Sequence, residues 1–185
     1  LVIIGGIFIL NGLIARIYGI EILGKFLLLK RTFSSAVGIL LIGINVGLPY
    51  YLSRNLKRSY GDNSFILFII VTVPLTVILM VSILWFNIPG FNSDRFWTYI
   101  IFSLGISAQF MTYALYRGYM NMIGANIFQL LGTAIIPIII FTSVTDIYEG
   151  LFWMGLCVLI VMIFAFIIRN NGLIPYVDGV EPQID

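Results

Sequence analysis

From Ile66 the chain reads Ile66-Leu67-Phe68-Ile69-Ile70-Val71, inside a stretch, residues 63–93, that carries no charged side chain. A membrane-barrel strand would alternate polar and apolar residues over about ten positions. This run is apolar without interruption. A backbone surrounded by lipid must satisfy its own hydrogen bonds, which a helix does within one segment. Its Ile and Val content does not argue for a strand, because soluble propensities yield to the lipid environment. Outward from here the pattern repeats: residues 1–15, 32–53, 96–116, 118–145 and 150–168 also lack Asp, Glu, Lys and Arg. All but the first approach or exceed the ~18 residues of a membrane-crossing helix. The gaps predict six spans, at about 1–15, 32–52, 64–86, 96–119, 123–143 and 150–169.

Composition points the same way. Of the 185 residues, 61% are apolar and 10% charged, against roughly 45–50% and 25% in soluble domains. Mean hydropathy is +1.08. The expectation is an all-α integral membrane protein, a bundle of about six transmembrane helices over residues 1–170, with a polar, acidic tail over residues 171–185. The missing initiator Met and the ending Asp178-Gly179-Val180-Glu181-Pro182-Gln183-Ile184-Asp185 suggest a fragment of a longer chain, or a chain split by its gene.

The same composition removes classes of chemistry. With no His, His-dependent acid–base catalysis and His-containing zinc or haem sites are excluded. Cys157 is alone, in Gly155-Leu156-Cys157-Val158-Leu159, and reads as a small hydrophobe. A net charge of +2 is no footprint for nucleic acid. None of the eight acidic residues falls inside a predicted span, so neither a buried proton relay nor paired catalytic carboxylates are visible. No cofactor and no metal are expected, and an enzyme is the disfavoured reading.

Lys and Arg in short loops set orientation. With the first residue cytoplasmic, the inner loops hold Arg54, Lys57, Arg58, Arg117 and Arg169, while the outer loops after the first hold Arg95. The first loop opposes this with Arg16, Lys25, Lys30 and Arg31. Its segment Ile17–Lys30 is amphipathic, suited to the interface or to lengthening the second helix, so its charges can snorkel rather than report sidedness. Both termini are therefore expected in the cytoplasm.

Polar groups within spans are costly and draw attention. They are Asn11, Asn45, Gln109, Asn126 and Gln129, with Arg16 and Arg117 near span ends. Gln109, Tyr113 and Arg117 are four residues apart and share one face of the fourth helix. Such residues serve either as hydrogen-bonding glue between helices or as the wall of a polar path. Gly43 and Gly47 form a GxxxG step, and Ser103 and Ser107 a small-residue pair, both suited to close helix packing. Pro74 and Pro137 remove donors within spans and favour kinks. Trp85, Phe86, Phe91, Phe96, Trp97 and Tyr99 surround the loop between the third and fourth spans, as an interfacial belt or as a surface for stacking on sugars.

Three segments resemble a known family. Ala15-Arg16-Ile17-Tyr18-Gly19-Ile20-Glu21-Ile22-Leu23-Gly24-Lys25-Phe26 is similar to the Arg-x-x-Gly-x-Glu-x-x-Gly-x-(Tyr/Phe) segment of bacterial and archaeal polysaccharide exporters. Those exporters belong to the superfamily of multidrug, oligosaccharidyl-lipid and polysaccharide flippases. Gly43-Ile44-Asn45-Val46-Gly47-Leu48-Pro49-Tyr50-Tyr51-Leu52-Ser53-Arg54 resembles that family's second helix with its basic inner end, and Tyr116-Arg117-Gly118 its Arg-Gly turn. Ile20 stands where the family often has Pro, and Asn45 lies near a position that is frequently acidic. Family members carry twelve to fourteen helices in two lobes, so this chain would be the first lobe. The resemblance implies a flippase of the cytoplasmic membrane that moves a lipid-linked saccharide by alternating access. It implies a second six-helix lobe as partner, from the same full-length chain or another copy. Arg16 and Arg117 would attract the phosphate or headgroup. Asn11, Asn45, Gln109 and Gln129 would face the sugar, with Tyr113 on the polar line. A multidrug or toxin extruder of the same superfamily, and a non-transporting assembly or scaffold subunit, are the alternatives.

Overall fold

A computed structural model describes residues 2–41, 44–54, 66, 70, 72–85 and 93–170. Among them every regular element is helical and none is a strand. The helices are α1 (Val2–Tyr18), α2 (Ile20–Leu40), α3 (Ile44–Arg54), α4 (Val73–Trp85), α5 (Phe96–Gly118), α6 (Met122–Leu130), α7 (Ile136–Ser143) and α8 (Ile147–Asn170). Ser93–Gly118, Met122–Ser143 and Ile147–Ala165 are long and apolar enough to cross a bilayer, and Val2–Tyr18 and Val73–Ser82 are shorter apolar helices. The chain is an all-α membrane bundle. The tail at 171–185 and the greater part of the basic turn at 53–63, including Lys57 and Arg58, lie outside the described residues.

α5 is the central helix. Tyr99, Phe102, Ser103, Ser107, Ala108, Met111, Ala114 and Gly118 are all buried along it. Its main partner is α8, and the two cross backbone to backbone: a Cβ on Gly105 would meet Gly155 Cα at 2.6 Å. Only glycine permits that approach. Tyr99 meets Tyr148 at 6.4 Å between ring centroids. Gly105 meets Gly155, and the Tyr116 hydroxyl donates to Ala165 O at 3.0 Å. The order rises in both helices, so α5 and α8 run parallel. The α6–α7 rod runs the other way, with Gln109 on Gly132 and Tyr116 on Gly124. α1 follows that rod in parallel, from Gly6 against Ala134 to Tyr18 beside Phe141. The second half of α2 and α3 both lie alongside α5. Phe33 stacks on Tyr99 at 5.8 Å and Leu52 packs against Gly118, a step of nineteen residues on each side. Alternation of direction from pass to pass is what short connections between membrane helices produce.

Two features differ from the simplest reading of the spans. The first loop is helix: α1 stops at Tyr18, Gly19 takes φ 92°, and α2 begins at once with Ile20. The amphipathic segment therefore lengthens the second helix. The fifth span is not a continuous α-helix, since residues Leu131–Ile135 form a π turn between α6 and α7. Pro137 cannot donate, and its ring crowds the carbonyl four residues back. The chain relieves this by widening the preceding turn, where Ile136 N–H donates to Leu131 O. The turn from α5 to α6 is tight as well. Met120 holds φ 58°, and the Asn121 side chain caps α6 by accepting from Gly124 N–H at 2.8 Å.

Candidate functional site

Hydroxyls in a membrane bundle must find partners, and most here find them on their own helix. Thr76, Ser107, Thr112 and Thr133 each donate to the carbonyl four residues back, at 2.7–2.9 Å. Those side chains are satisfied locally and carry no argument for a ligand. Ser103 Oγ is the buried exception on α5, with no hydrogen-bond partner among the described residues.

The predicted polar line on α5 divides along its length. Gln109 is half-buried and lies over the π turn, where a Cβ on Gly132 would meet its Cδ at 2.9 Å. Beside it is a void about one water molecule in size, lined by Gln109, Thr112, Phe128, Gly132, Val158 and Met162. Tyr113 is half-buried against the cluster of Tyr116, Ala125, Phe128 and Ala165. Arg117, one turn on, is exposed. Asn11 is half-buried on α1 and Gln129 half-buried on α6, while Asn126 is exposed. Asn45 belongs to α3, and its side chain lies outside the described residues.

The structure brings Gln109 and Tyr113 together on the face of α5 turned to α6 and α8. It does not bring Arg16 and Arg117 together. Arg16 sits two residues before Tyr18, whose hydroxyl donates to the carbonyls of Phe141 (3.0 Å) and Val144 at the end of α7. Arg117 stands at the far end of α5, a helix of 23 residues and so about 34 Å long. The two guanidinium groups belong to opposite ends of the bundle and cannot hold one phosphate at once.

The Arg16 end is closed by aromatic and ionic contacts. Phe26 meets Phe141 edge-on at 5.3 Å, and Phe33 packs on Tyr99 and Phe102. Arg95 lies over the Tyr148 ring at 4.9 Å and 3.4 Å from an oxygen of Asp146. On α2, before the membrane span, Lys25 pairs with Glu21 at 2.8 Å, and this ammonium holds the Glu21 carboxyl below the usual carboxylate range.

The outer face of α2 is mixed. Arg31, Thr32 and Ser35 are exposed there with Gly24 and Lys25, and so are Leu28 and Ile39. Neither Thr32 nor Ser35 has a hydrogen-bond partner among the described residues, unlike Ser107 and Thr112 of α5. Phe33 lies level with Tyr99, so Ser35 falls inside the depth spanned by α5. The reading of charges alone passed over Thr32 and Ser35, though their spacing with Leu28 and Ile39 would have placed them on one face. Lys30, assigned from the sequence to a loop, stands instead on the buried side of α2. Among the described residues no group of three His, Cys, Asp or Glu could hold a metal ion.

No family model, no curated protein and no solved structure matches this chain.

Proposed function

We propose that the protein is one lobe of a flippase that moves lipid-linked saccharides across the cytoplasmic membrane by alternating access. The observation that carries this reading is the exposure of Arg31, Thr32 and Ser35 on the outward face of α2, where they interrupt an otherwise apolar surface of Leu28 and Ile39 on a helix that runs level with the membrane-crossing α5. Lipid cannot satisfy such groups. A water-filled path shared with a second lobe can. The resemblance of Ala15–Phe26 and Tyr116–Gly118 to polysaccharide exporters supports the substrate class, and the apolar remainder of the bundle suits contact with the lipid tail. Gly19, the π turn before Pro137 and the turn at Met120 are places where segments can reorient. In this reading the Arg117 end is cytoplasmic, the side favoured by the inner-loop charges of the sequence, Arg54, Lys57, Arg58, Arg117 and Arg169.

The test is appearance of a lipid-linked saccharide on the outer leaflet of vesicles made from cells that carry the protein. Ser35→Leu and Thr32→Leu, introduced together, are expected to lower transfer by about tenfold or more while membrane insertion stays normal, an effect of about 1.4 kcal/mol or above on the path. Unchanged transfer in the double variant would remove the basis of the proposal. Efflux of cationic dyes without saccharide transfer would reassign the protein to the drug extruders.

A further inference from the structure

The buried side of α2 is set by Phe26, Leu29, Phe33, Val37 and Leu41, each 8% exposed or less. At about 100° per residue these fall within roughly 60° on either side of Phe26. Lys30 lies about 40° from Phe26 and so inside that arc. Its neighbours in charge point elsewhere: Arg16, Lys25 and Arg31 are exposed, and Lys25 has Glu21. Lys30 is only half-exposed, with its ammonium 5.8 Å from the centroid of the Phe26 ring. That ring contact offsets part of the cost of drawing a charge out of water. Among the described residues no carboxylate lies within ion-pair distance of it.

An ammonium in that position calls for an anion. Phe26 reaches the last turn of α7 at Phe141, and Phe33 stacks on the first turn of α5 at Tyr99. Lys30 stands between them, at the level where the membrane-crossing helices begin and where lipid headgroups lie. The anion common to that depth is a phosphate. We infer that Lys30 anchors a binding site for the phosphate of an anionic membrane lipid, with an acyl chain lying along the neighbouring exposed Leu27. Phe26 holds the ammonium in place, and the phosphate supplies a counter-charge that the described residues do not. The inference rests on the membrane-embedded fold and stands apart from the transport reading.

The test uses the purified protein in mild detergent, offered equal amounts of phosphatidylglycerol and phosphatidylcholine and weighed intact by native mass spectrometry. About fivefold preferential retention of phosphatidylglycerol is expected, the effect of one lysine near an anionic headgroup. Lys30→Gln should lose that preference, Lys30→Arg should keep it, and Arg31→Gln, on the outer face, should keep most of it. Equal retention of the two lipids by the unsubstituted protein overturns the inference whatever the variants do. So does full preference in Lys30→Gln. Displacement of the lipid by millimolar inorganic phosphate would assign the site to free phosphate and overturn the lipid form of the proposal.

Discussion

Replacing Gly105 by Ala probes the contact on which the bundle is centred. The new methyl would stand 2.6 Å from Gly155 Cα and 2.7 Å from Gly155 O. Carbon atoms rest at about 3.5–4.0 Å, so α5 and α8 must part by about 1 Å. Both obstructing atoms are backbone, and no rotamer change can clear them. Overpacking of this kind costs about 1–3 kcal/mol, against which Ala gains up to about 1 kcal/mol over Gly within a helix. The net expectation is a loss of about 1–2 kcal/mol. Gly12 supplies the control, because nothing lies within 4 Å of a Cβ built there. Gly12→Ala should be neutral or stabilising by a few tenths to about 1 kcal/mol. The assay is equilibrium unfolding in mixed micelles, followed by tryptophan fluorescence and circular dichroism. Gly105→Ala combined with Gly155→Ala should cost less than the sum of the two, since helices already parted accept the second methyl more easily. The reasoning fails if Gly105→Ala is as stable as Gly12→Ala.

The same unfolding measurement checks three further expectations. Tyr116→Phe removes the 3.0 Å bond to Ala165 O and should cost about 1–2 kcal/mol, because the buried hydroxyl has no water to replace it; no loss would deny that bond a role. Met120→Gly frees a side chain held at φ 58° and should stabilise by about 1 kcal/mol, whereas a destabilised variant would mean that the Met120 side chain contributes more than its backbone costs. A double-mutant cycle of Arg95→Gln and Asp146→Asn should give a coupling below about 1 kcal/mol, since both side chains are over 40% exposed and screened by solvent; a coupling of several kcal/mol would contradict that screening.

The fold was readable because charge is what lipid punishes most. Gaps between charged residues marked the apolar runs, which are helical among the described residues, and three of the helices are long and apolar enough to cross a membrane. What escaped was set by single residues in three dimensions. Gly19 turns the first loop into two abutting helices, and no composition window resolves one residue at positive φ. The π turn follows from Pro137, whose presence signalled a distortion without its form. Close packing was sought in Gly43–Gly47 and Ser103–Ser107. Ser103 and Ser107 are fully buried, yet the tightest backbone approach to α5 is made by Gly155, which meets Ile101, Phe102 and Gly105. Among the candidate residues, four-residue spacing put Gln109 and Tyr113 on one face of α5. That both face the interior of this chain depends on where α6 and α8 lie. Lys30 needed the helical phase of α2, which counting it among the charges of the first loop concealed; Ser35 lay within the predicted second span but carried no charge to draw notice.

The arrangement of passes is tested most directly by labelling single cysteines from each side of intact membranes, with Cys157 replaced. Met120→Cys reports the turn after α5, and Thr145→Cys the turn between α7 and α8, both at exposed positions. A bundle whose α6–α7 rod crosses the membrane must place them on opposite sides; the proposed orientation predicts that position 145 is reached by an impermeant maleimide from outside and position 120 only after permeabilisation. Labelling of both positions from the same side would contradict the account.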